Sequence, residues 1–205
     1  MTTTISIPTD RGEIDARWDA PANPPQGAVL LVGGGDGGFD GPAEALYPTL
    51  AEDFTTRGLG TLRLDFRIHR FPNDVDEGAY DVVAGLRWLA TQGVERVALV
   101  GHSFGGAVVI EAAAQDASAA AVVTLATQTA GAQNVALIAP RPLLLIHGLD
   151  DVRLSPRCSQ LLYGMAGDPR SLVLIPDATH SLRQAREEVR TRILEFVMSA
   201  LAGNR

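Results

Sequence analysis

The chain has 205 residues, 46% of them apolar, enough to bury one sizeable core and too few for two, so a single domain over 1–205 is expected. Its formal charge of -7, with no basic stripe to set against it, argues against nucleic acid as a partner. All 17 basic residues are arginines, which removes Schiff-base chemistry, Ser-Lys catalysis and the lysine-ended phosphate loop; the single cysteine, Cys158, leaves neither an internal disulfide nor a cysteine cluster for zinc.

The opening MTTTISIPTDRGEID lacks the basic start and apolar stretch of a secretory signal, and no segment reaches the length of a membrane span. A cytoplasmic protein with no membrane partner is the expectation. TTISI and EIDARWDA alternate apolar and polar residues about the turn-like TDRG, which predicts an antiparallel hairpin. After the loop PANPPQG come six short apolar runs: AVLLV, GTLRLDF, RVALVG, AAVVTLA, PLLLIHG and SLVLIP. Helical segments are predicted to begin near Pro42, Asp74, Phe104, Ser155 and Ser181. Continuous apolar strands require a sheet covered on both faces, and intervening helices imply parallel crossovers. The predicted fold class is α/β, a doubly wound, mostly parallel sheet with an antiparallel N-terminal hairpin. Such sheets bind ligands beyond the carboxyl ends of their strands.

The first such exit, VGGGDGG, contains Gly33-x-Gly35-x-x-Gly38, the spelling of a dinucleotide fingerprint, and Asp65 ends the next strand where an acid could meet a ribose. FDGP intervenes before any helix, however, so a pyrophosphate would find no helix N-terminus there. No dinucleotide cofactor is expected, and no metal. The exit after GTLRLDF is FRIHRFPN, where Arg67, His69 and Arg70 could attract a carboxylate-bearing substrate or simply form a solvated basic loop.

The most informative exit is VALVGHSFGGAVVIEAAA. A strand runs into Gly101-His102-Ser103-Phe104-Gly105 and directly into an alanine-rich helix, the context of a nucleophile elbow. The tight turn exposes the Ser103 hydroxyl, the flanking glycines avoid clashes, and the helix N-terminus favours an oxyanion. The N–H of Phe104, the residue after the nucleophile, is then one oxyanion donor. Serine needs a base, and among four histidines His180, between the last strand and the last helix, is best placed. His102 should point away from the hydroxyl, His147 is structural, and His69 is a loop residue that could approach the site. The loop HGLDDVRLSP supplies Asp150 and Asp151 between the serine and the histidine, in the order Ser, Asp, His.

These residues, together with the hairpin, the glycine-rich turn, DFR, DVVAGLRWL and DATH, resemble the α/β-hydrolase family, particularly its small lidless members similar to dienelactone hydrolases and short-chain esterases. The resemblance covers almost the whole chain. Mapped on the family pattern H-G-x-x-D-x-x-V-P, His147 and Gly148 stand first, Asp151 at the acid, and Leu154 and Ser155 at the end, so Asp151 is preferred to Asp150. Where relatives carry H-G-x after the first parallel strand, this chain has Gly33-Gly34-Gly35, which makes Gly35 the implied second oxyanion donor, with Gly34 and Asp36 its neighbours. Dienelactone hydrolases proper use cysteine at the elbow, so Ser103 separates this chain from their substrate. The implied activity is cofactor-free cleavage of a small or short-acyl ester, thioester or lactone through Ser103, His180 and Asp151. A ligand-binding protein on the same scaffold is the alternative.

Overall fold

AVLLV offers no polar residue to face solvent, and β3 (Ala28–Val32) is buried along its whole length. Successive strand residues point to opposite faces. Leu30 and Val32 accordingly join one core layer, Val29 and Leu31 the other. β4 (Gly60–Leu64), β5 (Val97–His102), β6 (Ala119–Leu125) and β7 (Leu143–Gly148) are enclosed in the same way. β1 (Thr2–Thr9) and β2 (Gly12–Asp19) form the N-terminal hairpin, while β8 (Arg170–Ile175) lies at the far edge and is only partly buried.

The computed structural model describes residues 2–70 and 72–202. Its eight-stranded sheet has the order β1-β2-β4-β3-β5-β6-β7-β8. The β1/β2 and β2/β4 pairs are antiparallel and all others parallel, which is the doubly wound sheet with an antiparallel start that the apolar runs predict. α1 (Pro42–Thr56) and α5 (Arg186–Ala202) cover one face, adding Leu46, Phe54, Val189 and Ile193 to the layer of Val29 and Leu31. α2 (Val75–Thr91), α3 (Phe104–Gln115) and the shorter α4 (Arg157–Met165) cover the other with Val82, Leu89, Val108 and Leu162. Asp74 starts α2 as an N-cap, its carboxylate accepting from the backbone N–H groups of Asp76 and Glu77.

One helix starts later than its sequence predicts. The segment from Ser181 first turns inward to bury Leu182, which adopts a left-handed conformation (φ 56°), then makes a single 3-10 turn over Arg183–Ala185 before α5 begins. Between β6 and β7 the only helical structure is one 3-10 stretch, Gln133–Ile138, so this connection carries no lid helix.

The topology decides where a ligand can sit. From β3 the chain moves outward to β4, then crosses back over β3 to place β5 on its other side. The loops leaving β3 and β5 therefore diverge, and a crevice opens between their carboxyl ends. Those two loops are the glycine-rich turn and the Ser103 elbow.

Candidate active site

Ser103 sits between β5 and α3 with φ 56° and ψ -116°, a conformation that a non-glycine residue holds at a cost of about 1–3 kcal/mol. The surroundings enforce it. Its N–H donates to the Leu125 carbonyl at 2.8 Å, and the Thr127 hydroxyl donates to its carbonyl at 3.2 Å. A methyl group on Gly101 would run into the Gly105 carbonyl oxygen, and one on Gly105 into the Gly33 carbonyl oxygen. Gly101→Ala is thus expected to destabilise the fold at the upper end of the roughly 1–3 kcal/mol that overpacking costs, or beyond it. By contrast Gly164→Ala, in α4 with open space around it, should stabilise by up to about 1 kcal/mol. Urea denaturation of the two variants measures both signs.

The elbow presents Ser103 Oγ 3.1 Å from Nε2 of His180, and Nδ1 of His180 lies 2.7 Å from Oδ2 of Asp151. A carboxylate can only accept, so Nδ1 carries the proton and Nε2 is left to accept from the serine hydroxyl. Asp151 is buried, yet its remaining oxygen is fully occupied: Oδ1 accepts from the backbone N–H groups of Arg153 and Leu154, both at 2.9 Å. Burial alone would push its carboxyl up; the Leu154 N–H, the His180 imidazole and the Arg153 N–H outweigh burial and hold it below the ordinary carboxylate range. The ionised form contributes stability that is present above that range and lost as the pH falls through the depressed value. Asp150, the neighbour left open by the sequence, is exposed, and only its backbone N–H is used, donating to Ala178.

Two further histidines surround this chain of groups. His102 donates from Nε2 to the His180 carbonyl at 3.0 Å, with the two rings 4.9 Å apart, and so anchors the backbone of His180. Burial pushes its pKa down to about 4, which keeps it a neutral donor. His147 is fully buried at the end of β7 and bonded to Asp151 itself.

Opposite the elbow, the glycine-rich stretch folds into a tight turn closed by Gly37 N–H donating to the Gly34 carbonyl at 3.0 Å. Gly33, Gly34, Gly35 and Asp36 line the same cavity of about 810 Å³ as Ser103, Phe104 and His180. The turn is held from outside by the loop after β4. Asn73 Nδ2 donates to the Gly35 carbonyl at 3.0 Å, and Asp65 Oδ1 accepts from the Gly38 N–H at 2.7 Å. Gly35 has no room for a side chain, since a Cβ there would lie 2.7 Å from Asn73 Oδ1. Asp65 also accepts from His69 Nε2 at 2.8 Å, so it is committed to the turn and to His69 rather than free to meet a ribose.

His69 lines the cavity; Arg67 and Arg70 do not. Arg67 is a correction to the sequence reading: its Nε binds Asp81 at 2.5 Å, one terminal nitrogen binds Glu77 at 2.7 Å, and the other binds the Arg11 carbonyl at 2.9 Å, so its charge is spent holding the N-terminal hairpin to α2. Glu77 and Asp81, four residues apart on one helix face, were the legible signal for that partner. Arg70 is exposed and away from the cavity. The arginine that does line it, among the described residues, is Arg153, on the loop of the acid and unmarked by any sequence pattern. No group of three or more His, Cys, Asp or Glu side chains among the described residues could hold a metal ion, and no described helix is long and apolar enough to cross a membrane.

The fold is the α/β-hydrolase fold, without a lid helix between β6 and β7. Solved structures match it over nearly their whole length: a dienelactone hydrolase from Anabaena variabilis (22% identity, TM-score 0.81, 97% of each chain), Est1E from Butyrivibrio proteoclasticus (19%, 0.80, 97% of this chain and 99% of that one) and an α/β serine hydrolase without lid from Xanthomonas campestris (18%, 0.82, 100% and 97%). In sequence the chain is 31% identical over 133 residues to the uncharacterised protein YfhR of Escherichia coli, a match spanning 52% of this chain and only 47% of that protein. No family model matches.

Proposed function

We propose that the protein is a serine hydrolase that cleaves small or short-acyl esters, with thioesters and lactones as chemically equivalent substrates. The observation that carries this reading is the unbroken hydrogen-bonded line from Ser103 through His180 to Asp151 at the wall of an open cavity. Ser103 Oγ attacks the acyl carbonyl as His180 Nε2 takes its proton, and Asp151 stabilises the imidazolium that forms. His180 then gives that proton to the departing alcohol, leaving an acyl-serine. Water, deprotonated by the same nitrogen, attacks this ester and releases the acid. The N–H groups of Phe104 and Gly35 receive the negative oxygen in both steps.

The size preference rests on the short connection between β6 and β7, which brings no lid helix over the cavity. With no lid helix to cover it, a long acyl chain would stay largely in water. Acetyl and butyryl esters are expected to be hydrolysed far faster than dodecanoyl esters; equal rates would overturn the size assignment. A fluorophosphonate probe should form its adduct on Ser103, and labelling elsewhere would overturn the mechanism. In the same panel, Arg153→Ala should lower the preference for a carboxylate-bearing ester over its neutral isostere by up to about fivefold, the strength of a solvent-exposed ion pair. An unchanged ratio would remove Arg153 from substrate recognition.

A further inference from the structure

His147 bonds not only to its own loop and to α4 but also to the acid of the site. Its Nε2 lies 3.1 Å from Asp151 Oδ2 and 3.0 Å from the Leu154 carbonyl, and its Nδ1 lies 2.7 Å from Ser159 Oγ on α4. Carboxylate and carbonyl can only accept, so the proton sits on Nε2, and Ser159 must donate to Nδ1. Burial lowers the pKa of the ring, so it is neutral. Oδ2 of Asp151 therefore receives two imidazole N–H groups, one from His147 and one from His180.

We propose that His147 is a positioning residue for the reaction: through its hydrogen bond to Oδ2 it fixes the orientation of Asp151 and tempers how strongly that carboxylate holds the protonated form of His180. The inference rests on the serine-hydrolase reading above. A carboxylate oxygen shared between two donors has less electron density for either one. Without His147, Asp151 would bind the imidazolium more tightly and give it up less readily when the leaving group needs its proton. The charged and titratable groups facing this pair are His147 from the end of β7, His102 from the end of β5 behind His180, and the Arg153 cation, whose charge bears on His102. His102 stays neutral, and Arg153 belongs to the exposed rim, so neither replaces the lost donor.

The test is the pH profile of kcat/KM. His147→Leu should move the acidic limb upward by roughly half a unit to one unit, a part of what a hydrogen bond to a charged group is worth, since Asp151 keeps its other donors. His147→Gln, whose amide N–H reaches where Nε2 stood, should bring the limb back. A limb that stays in place in His147→Leu while the rate falls would reduce His147 to packing, and a Gln variant as shifted as Leu would exclude the hydrogen bond as the cause. Should His147→Leu fail to fold, His147→Asn, whose amide reaches only where Nδ1 stood and so can keep Ser159 but not Oδ2, should move the limb in the same direction, and an unmoved limb there overturns the proposal. Nitrogen NMR of the unmodified protein should show His147 protonated on Nε2 and bare on Nδ1; the opposite tautomer also overturns it. The low-field proton on His180 Nδ1 should move further downfield in His147→Leu, a readout that needs no turnover. It separates failure of this inference from failure of the hydrolase reading, which the fluorophosphonate label on Ser103 decides.

Discussion

Ser103→Ala is expected to cut ester hydrolysis by roughly 10⁴-fold or more, because in the proposed mechanism it removes the atom that forms the acyl-enzyme while leaving nothing to replace it. His180 would remain, bonded to Asp151, and could still deprotonate a water. That route forfeits the pre-aligned nucleophile 3.1 Å from the base. The oxyanion donors would also remain, so a residual rate above the uncatalysed one is expected rather than none. Folding should be nearly unaffected. The Ser103 hydroxyl makes one hydrogen bond, to His180, whereas the turn itself is held by the Ser103 backbone and the flanking glycines. Stability from urea denaturation is expected within about 0.5 kcal/mol of the parent. A folded Ser103→Ala protein with undiminished hydrolysis would mean that the chemistry runs elsewhere.

What could be read from the sequence divides by how local its cause is. The elbow was legible because its geometry is set by five contiguous residues, and glycines at 101 and 105 have no other reason to flank a serine between a strand and a helix. The sheet was legible because runs such as AVLLV leave no face for water. The choice of Asp151 over Asp150 needed a family pattern, since what separates them is the path of the loop: the Asp150 N–H is drawn to Ala178, and the following carboxylate is delivered to His180. Arg67 was misplaced for a different reason. At a strand exit it had the right address for a substrate, but two carboxylates 10 and 14 residues later on α2 claimed its guanidinium. Asn73 stood in the same loop with no motif to mark it, and its bond to Gly35 depends on how that loop folds back over the glycine turn. His147 was read as structural because it lies inside a strand; its link to Asp151 spans four residues of a turn, where helical spacing rules do not apply.

Asp151→Asn should lower kcat by about 10³–10⁴-fold with the fold retained, and the hydrogen bonds around the carboxylate explain why so small a change costs so much. One oxygen, Oδ1, faces the N–H groups of Arg153 and Leu154 and must stay an acceptor. An asparagine at 151 would therefore keep its carbonyl oxygen there and turn its amide NH2 toward His180 and His147. Both imidazoles now point N–H groups at that place, so donor would meet donor twice. His180 can relieve the conflict only by moving its proton from Nδ1 to Nε2 and accepting from the amide. In that tautomer the nitrogen facing Ser103 already carries a proton and cannot take the one on the hydroxyl. The loss should fall on kcat far more than on KM, because the substrate cavity is lined by other residues. Asp150→Asn is the matched control: that side chain is exposed, and its substitution should leave kcat within about twofold, consistent with a surface change away from the site. Equal losses in the two variants, or a larger loss at Asp150, would place the acid on the wrong residue and with it the tautomer argument.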